Sequence, residues 1–141
     1  MTKSKIKPIR SYVLRQGRLT KHQAEGIKNL SSLHAIPFGD SILDWDSTFD
    51  KTGKKIIEIG FGMGHTTAEI AENLTDSNFI AIDVHSPGVG NLLNKIKEKE
   101  LENLKIIQHD AVEILEKMIL DESLDAIHIF FPDPWHKKKH N

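Results

Sequence analysis

Cysteine is absent from the 141-residue sequence, which excludes a disulfide framework and a thiolate zinc site. Long apolar runs are absent too. None approaches the ~20 residues that cross a bilayer, and no signal-peptide-like apolar stretch is found. Proline and glycine number only five and nine, so the chain is neither collagen-like nor of low complexity. What is present is 38% apolar and 28% charged, an ordinary globular composition at the length of about one domain. The expectation is a cytoplasmic protein with no membrane partner.

The net charge of −1 conceals a segregation. Residues 1–28 carry eight basic side chains against Glu25 alone, a net +7. Residues 29–136 carry a net −11, and Lys137, Lys138 and Lys139 return +3. A basic arm on an acidic body suits a polyanionic partner, although a solvated terminus has the same composition.

Residues 1–19 read as that arm. Thr20 and Gln23 have capping-box spacing, and Ala24, Ile27 and Leu30 continue at helical spacing, predicting a helix near 21–30. Pro37-Phe38-Gly39-Asp40 reads as a turn, with Trp45 and Phe49 as packing anchors. From residue 54 the periodicity changes. Strands are predicted at 55–59, 79–82, 105–108 and 126–131, with helices between them marked by Ala68, Ile70, Ala71 and Leu74, by Val89, Leu92, Leu93 and Ile96, and by Ala111, Ile114, Leu115 and Met118. That alternation means βαβ units, an α/β fold and a parallel sheet. The division expected is a basic arm with a short helix over 1–53 and a ligand-binding domain over 54–141. The fourth strand is apolar almost throughout, as if covered on both faces, yet ten residues follow it. Its edge is therefore expected to be covered by further chain, by the N-terminal segment or by a second subunit.

Glu58-Ile59-Gly60-Phe61-Gly62-Met63-Gly64 sits where the first strand meets the first helix. Gly60, Gly62 and Gly64 allow a tight turn and close approach of a ligand, although their spacing differs from the dinucleotide fingerprint. Asp83 ends the second strand, where an acid accepts from ribose hydroxyls. Asp110 follows the third strand and Asp133 the fourth. Each acid alone has a plainer use, such as Asp110 capping the next helix. Together they line the carboxyl edge where open α/β sheets bind ligands. Four carboxylates there repel a pyrophosphate and favour a cationic ligand. S-adenosylmethionine, with a sulfonium, an ammonium and a ribose diol, fits that charge better than NAD.

Phe130-Phe131-Pro132-Asp133-Pro134-Trp135 is the most specific run. Two prolines fix the loop around Asp133, Trp135 offers a face to a base, and a His/Lys cluster follows. His65, His85 and His109 are expected near the ligand edge, and His128 is expected to face the interior and hydrogen-bond there. No metal site is expected: His136 and His140 lack a third ligand.

These stretches resemble the bacterial tRNA (guanine-N7-)-methyltransferases, class I S-adenosylmethionine-dependent enzymes. The matching segments are Arg15-Gln16-Gly17-Arg18-Leu19-Thr20-Lys21, Glu58 to Gly64, Val84-His85-Ser86-Pro87-Gly88-Val89-Gly90, His109-Asp110-Ala111-Val112-Glu113, and Phe130 to Lys137. The resemblance runs from about residue 10 to the end. It implies a Rossmann-like class I methyltransferase fold, a mostly parallel sheet with helices on both faces, with about four of its seven strands. It further implies that Glu58, Asp83 and Asp110 bind the cofactor, that Asp133 is the active-site acid, and that Lys137 contacts substrate. Two departures stand out: the family usually has Glu at the place of Asp83, and its members continue with further strands.

The reaction implied is methyl transfer to N7 of guanine in the tRNA variable loop, forming 7-methylguanosine and S-adenosylhomocysteine. N7 carries a free lone pair, so Asp133 is expected to orient the guanine rather than act as a base. Trp135 is a stacking platform, and Arg15 and Arg18 grip phosphate. Two alternatives stay open: a non-catalytic RNA- or cofactor-binding module, and an exocyclic-amine (adenine N6) methyltransferase. The chain is expected as a monomer, or as a homodimer through the fourth strand.

Overall fold

The computed structural model describes residues 18–130. Helix α1 spans Lys21–His34 and the short α2 Trp45–Thr48. Strand β1 (Lys54–Ile59), α3 (His65–Asn73), β2 (Ser77–Asp83), α4 (Ser86–Lys99), β3 (Leu104–Gln108), α5 (Ala111–Lys117) and β4 (Ala126–Ile129) follow. All strand pairs are parallel, in the order β3-β2-β1-β4. That order opens a doubly wound, Rossmann-like sheet. The chain steps outward from β1 to β3, then returns through α5 to lie on the other side of β1. The reversal puts a topological switch point between β1 and β4.

Alternate strand residues feed two cores. Ile56, Phe79, Ala81 and Ile106 pack with Ala68 of α3 and with Leu92, Leu93 and Ile96 of α4 on one face. Ile57, Ile80, Ile82 and Ile107 pack with Ile114, Trp45 and Phe49 on the other. Helices therefore cover both faces, which is why the central strands are apolar without alternation. Trp45 and Phe49 are buried as expected from the sequence, held by an α2 turn that Asp44 caps through the Asp46 and Ser47 N–H groups.

The capping box is present: Thr20 Oγ1 accepts from Gln23 N–H, and Gln23 Oε1 accepts from Thr20 N–H, each at 3.0 Å. α1 runs one turn beyond the expected residue 30, because Lys105 Nζ donates to Leu33 O at 2.9 Å and supports its carboxyl end. α1 lies on α4 at small residues. A Cβ on Gly26 would meet the Asn94 side chain at 2.6 Å, and one on Gly90 would meet the Gln23 carbonyl at 2.5 Å. Asn94 Nδ2 also donates to His22 O.

The fourth strand is shorter than its apolar run suggests, ending at Ile129, although Phe130 N–H still donates to Ile59 O at 3.0 Å. Its register is pinned at the amino end, where Asp125 exchanges bonds with Lys55. Among the described residues β4 pairs with β1 alone, and Ile127 and Ile129 are 46% and 51% exposed. Among the described residues, nothing pairs with the free edge of β4. No helix among the described residues is long and apolar enough to cross a membrane.

Candidate functional site

The turn after β1 is built by backbone geometry that side chains disfavour. Gly60, Gly62 and Gly64 all have positive φ, at 80°, 63° and 85°. Gly60 N–H donates to Ile82 O, so the turn begins as an extension of the β1–β2 pairing. Gly64 then caps α3 through its backbone alone. Among the described residues nothing lies within 4 Å of where a Gly62 Cβ would stand, at the sheet's carboxyl edge.

Neighbouring elements hold the turn in place. Asp83 Oδ2 accepts from Gly62 N–H at 3.0 Å, while its Oδ1 accepts from Val84 N–H at 2.7 Å. Asn91 Nδ2 donates to Met63 O at 2.6 Å. Gly88 lets the first turn of α4 press on the loop: a Cβ there would stand 1.9 Å from Gly62 O. Gln108 bridges the third strand to the second crossover, donating to Val84 O and to Ser86 Oγ. Asn91, Gln108 and the clamping role of Gly88 are not evident from the sequence. A signal does exist, since two glycines in one helical turn, Gly88 and Gly90, are costly unless a backbone must come close.

Of the predicted acids, Glu58, Asp83 and Asp110 are among the described residues and lie toward the carboxyl ends of their strands at different depths. Asp83 is half-buried at the end of β2, opposite Gln108 in the β3 register. Asp110, two residues beyond, is also half-buried and caps α5, accepting from Glu113 N–H at 3.1 Å. The plainer reading of Asp110 therefore holds, though one accepted bond leaves a carboxylate with further acceptor capacity. Asp83 and Asp110 thus follow adjacent strands at the same end of the sheet.

Glu58 differs from them. It sits within β1, 0% exposed, on the α3/α4 face, and neither carboxylate oxygen has a hydrogen-bond partner among the described residues. Burial pushes its carboxyl above the usual glutamate range, while the Thr67 hydroxyl and the His128 ring pull it down. Thr67 Oγ1 is likewise buried and without a partner. Leaving a buried polar group unpaired costs ~1–3 kcal/mol.

Raised titration in the folded state has a definite sign. Glu58 contributes stability below the ordinary glutamate range, and that contribution is lost as pH rises through its raised value. Glu58→Gln should therefore flatten the fall in stability between acid and neutral pH, read from urea midpoints across that window. Identical slopes in parent and variant would contradict this account of the buried carboxyl.

The histidines have separate positions. His65 opens α3 and is exposed, and His85 precedes α4 half-buried. His109 stacks on Phe38 with ring centroids 3.7 Å apart and pairs with Glu113. His128 is half-buried and inclined against Phe79, at 6.5 Å between ring centroids. The hydrogen bond expected for it is not found among the described residues; its register partner in β1 is Glu58. Arg18 is exposed, ahead of α1. Arg15, Asp133, Trp135, Lys137, His136 and His140 lie outside the described residues. No group of three metal-ligating side chains occurs among the described residues. A cavity of about 260 Å³ lies at the amino edge of the sheet, beside Asn78, Lys99 and Asn103, away from the acids.

Chemically, the carboxyl edge suits a ligand bearing hydroxyls and positive charge. Asp83 and Asp110 keep acceptor capacity, and Gly62 leaves room. That donor set fits an adenosyl sulfonium with an ammonium group.

A family model described as "Putative methyltransferase" matches residues 52–141. The chain is 56% identical over 136 residues to a tRNA (guanine-N(7)-)-methyltransferase of Methylobacillus flagellatus, covering 96% of this chain and 57% of that protein. It is 54% identical over 133 residues to a protein of the same name from Neisseria meningitidis, covering 94% and 56%. The chain thus spans little more than half the length of the curated relatives it matches. A solved Haemonchus contortus phospholethanolamine N-methyltransferase 2, in complex with phosphomonomethylethanolamine and S-adenosylhomocysteine, is similar at TM-score 0.47 and 13% identity, over 84% of this chain and 24% of that one. That likeness is too slight to add to the fold already described.

Proposed function

The chain belongs to the family described as "Putative methyltransferase", and from that membership we propose that it carries the donor-binding half of a tRNA (guanine-N7-)-methyltransferase. The observation that supports this most is the rim itself: Asp83 and Asp110 end adjacent strands on one side of β1, and Asp83 braces the left-handed glycine turn that follows β1 and the buried Glu58. Identities of 56% and 54% to tRNA (guanine-N(7)-)-methyltransferases support the reaction class.

In this reading Asp83 accepts from the ribose hydroxyls and Asp110 from the adenine amine. Glu58 lies buried beneath the turn, and Gly60, Gly62 and Gly64 let the ligand approach the backbone. S-adenosylmethionine supplies an electrophilic methyl group on sulfur. Guanine N7 needs no deprotonation, so alignment is the main demand on the protein. Asp133 holds the guanine by accepting an N–H and offsets positive charge developing on the ring. Trp135 stacks on the displaced base, and Lys137, Arg15 and Arg18 hold phosphates. With a tRNA as substrate, the reading includes a cytoplasmic location.

The test is incubation with labelled S-adenosylmethionine and unmodified tRNA, followed by digestion to nucleosides. The label is expected in 7-methylguanosine; label in N6-methyladenosine would point to exocyclic-amine chemistry instead. A second reading is a module that binds donor or tRNA without turnover. Binding without any methylated nucleoside would select it.

Two further outcomes are expected. Asp133→Ala should abolish transfer and leave S-adenosylhomocysteine affinity unchanged; lost affinity would move Asp133 to the donor site. Deleting residues 1–19 removes six basic side chains and only basic ones among the charged. It should flatten the dependence of tRNA affinity on salt, since each neutralised phosphate contributes a slope of roughly 0.7–0.9. An unchanged slope would remove the arm from tRNA binding.

A further inference from the structure

The first two turns of α4 are held from three sides. From Pro87 to Asn94 every residue except Asn91 is buried, whereas a surface helix buries a single stripe. Val89, Leu92, Leu93 and Ile96 pack into the core over the sheet. Gly88 and Asn91, three apart, abut the glycine turn at Gly62 and Met63. Gly90 and Asn94, four apart, abut α1 at Gln23 and His22. At 3.6 residues per turn these three sets stand roughly 120° apart around the helix axis. The contact with α1 is made by backbone. The Thr20–Gln23 capping box closes the first turn of α1. A Cβ on Gly90 would stand 2.5 Å from Gln23 O and 2.9 Å from its carbonyl carbon and its Cα.

We propose that Gly90 is a positioning residue for the donor site: its bare backbone lets the capped first turn of α1 seat on α4, and that seat sets how closely Gly88 presses on the Gly62 carbonyl. This rests on the donor-binding reading above. A methyl group at Gly90 needs α1 and α4 to part by about 1 Å to reach ordinary van der Waals contact. Close-packed interiors transmit such a displacement rather than absorb it. The sheet side of α4 is filled by the core, so the strain passes to the glycine turn. The turn is the neighbour with room to give, since among the described residues nothing lies within 4 Å of where a Gly62 Cβ would stand. Gly62 N–H in turn donates to Asp83 Oδ2, so a displaced turn also shifts the acid that meets the ribose in that reading.

The experiment compares the parent chain with Gly90→Ala, Gly26→Ala and Thr20→Ala. Amide NMR of the ligand-free proteins reads the turn, and calorimetric titration with S-adenosylhomocysteine reads the donor site. Gly90→Ala should move the Gly62, Met63 and Gly64 resonances and weaken S-adenosylhomocysteine about tenfold, a part of the ~100-fold that a 1 Å misplacement can cost. Gly26→Ala enters the same helix interface but meets only the end of the Asn94 side chain, which can turn aside, so the turn resonances should stay nearly fixed. Thr20→Ala opens the capping box without adding an atom. It should move the same resonances by less and weaken binding about threefold, and it decides the matter if Gly90→Ala does not fold. Turn resonances that stay fixed in both Gly90→Ala and Thr20→Ala overturn the proposal, as do equal shifts in Gly26→Ala and Gly90→Ala. Moved resonances with unchanged affinity leave Gly90 a packing residue and overturn its positioning role. Should the parent bind no S-adenosylhomocysteine, the donor reading fails and takes the positioning role with it, while the ligand-free resonances still decide whether α1 sets the turn.

Discussion

Asp83→Ala is expected to weaken S-adenosylhomocysteine binding by roughly 100-fold while the chain stays folded. The side chain has two tasks at one position. It accepts Gly62 N–H and Val84 N–H, which fixes the glycine turn against the end of β2. In the proposed complex its remaining acceptor capacity meets the ribose diol. Hydrogen bonds to a charged group contribute ~1.5–3 kcal/mol each. Losing two of them amounts to about two factors of ten or more. Asp83→Asn keeps one acceptor oxygen and the size, and should lose about tenfold. Calorimetric titration of the folded variants checks both. An Asp83→Ala affinity within threefold of the parent would show that this acid serves only the turn.

Gly88→Ala sets two effects of opposite sign against each other. Alanine is the better helix former by ~1 kcal/mol, and Gly88 lies within α4, so propensity alone predicts a more stable chain. Contact predicts the reverse. The new Cβ would stand 1.9 Å from Gly62 O and 3.0 Å from its carbonyl carbon, both backbone atoms that cannot swing aside. Overpacking against backbone costs ~1–3 kcal/mol or more, so the net expectation is a loss of about 2 kcal/mol. Any relaxation must displace the turn or the start of α4, so donor affinity should fall along with stability. Gly39→Ala is the matched control. Nothing lies within 4 Å of where its methyl group would stand and its φ is not left-handed, so a change between zero and ~1 kcal/mol of added stability is expected. Urea unfolding of the two variants separates the effects; a Gly88→Ala chain as stable as the parent would mean that α4 does not press on the loop.

The order of strands and helices was legible because each strand is a short run of isoleucine and phenylalanine bounded by polar turns, and each helix has apolar side chains at 3–4 residue spacing. The Thr20–Gln23 cap and the buried Trp45 and Phe49 were legible for similar reasons, since both are local chemistry. Depth was not. Glu58, Asp83 and Asp110 read alike as acids near strand ends, yet one is sealed within β1, one braces the turn, and one caps α5. What separates them is strand parity and the position of α3 and α4, which only tertiary packing fixes. The same holds for His128, whose relation to Glu58 depends on β4 lying beside β1 in a given register. Gly88 and Asn91 were hidden for another reason. A helix residue that clamps a distant loop has no local pattern, beyond the odd presence of glycine in a helical turn.

The central claim is that a cationic methyl donor docks among the acids at the carboxyl edge. An amide NMR map of the chain titrated with S-adenosylmethionine, with NAD in parallel, tests it most directly. The account predicts saturable shifts at Gly60, Gly62, Asp83, Val84 and Asp110 with S-adenosylmethionine, and none there with NAD. Shifts confined to the amino edge around Asn78 and Asn103, or an equal response to NAD at the turn, would contradict it.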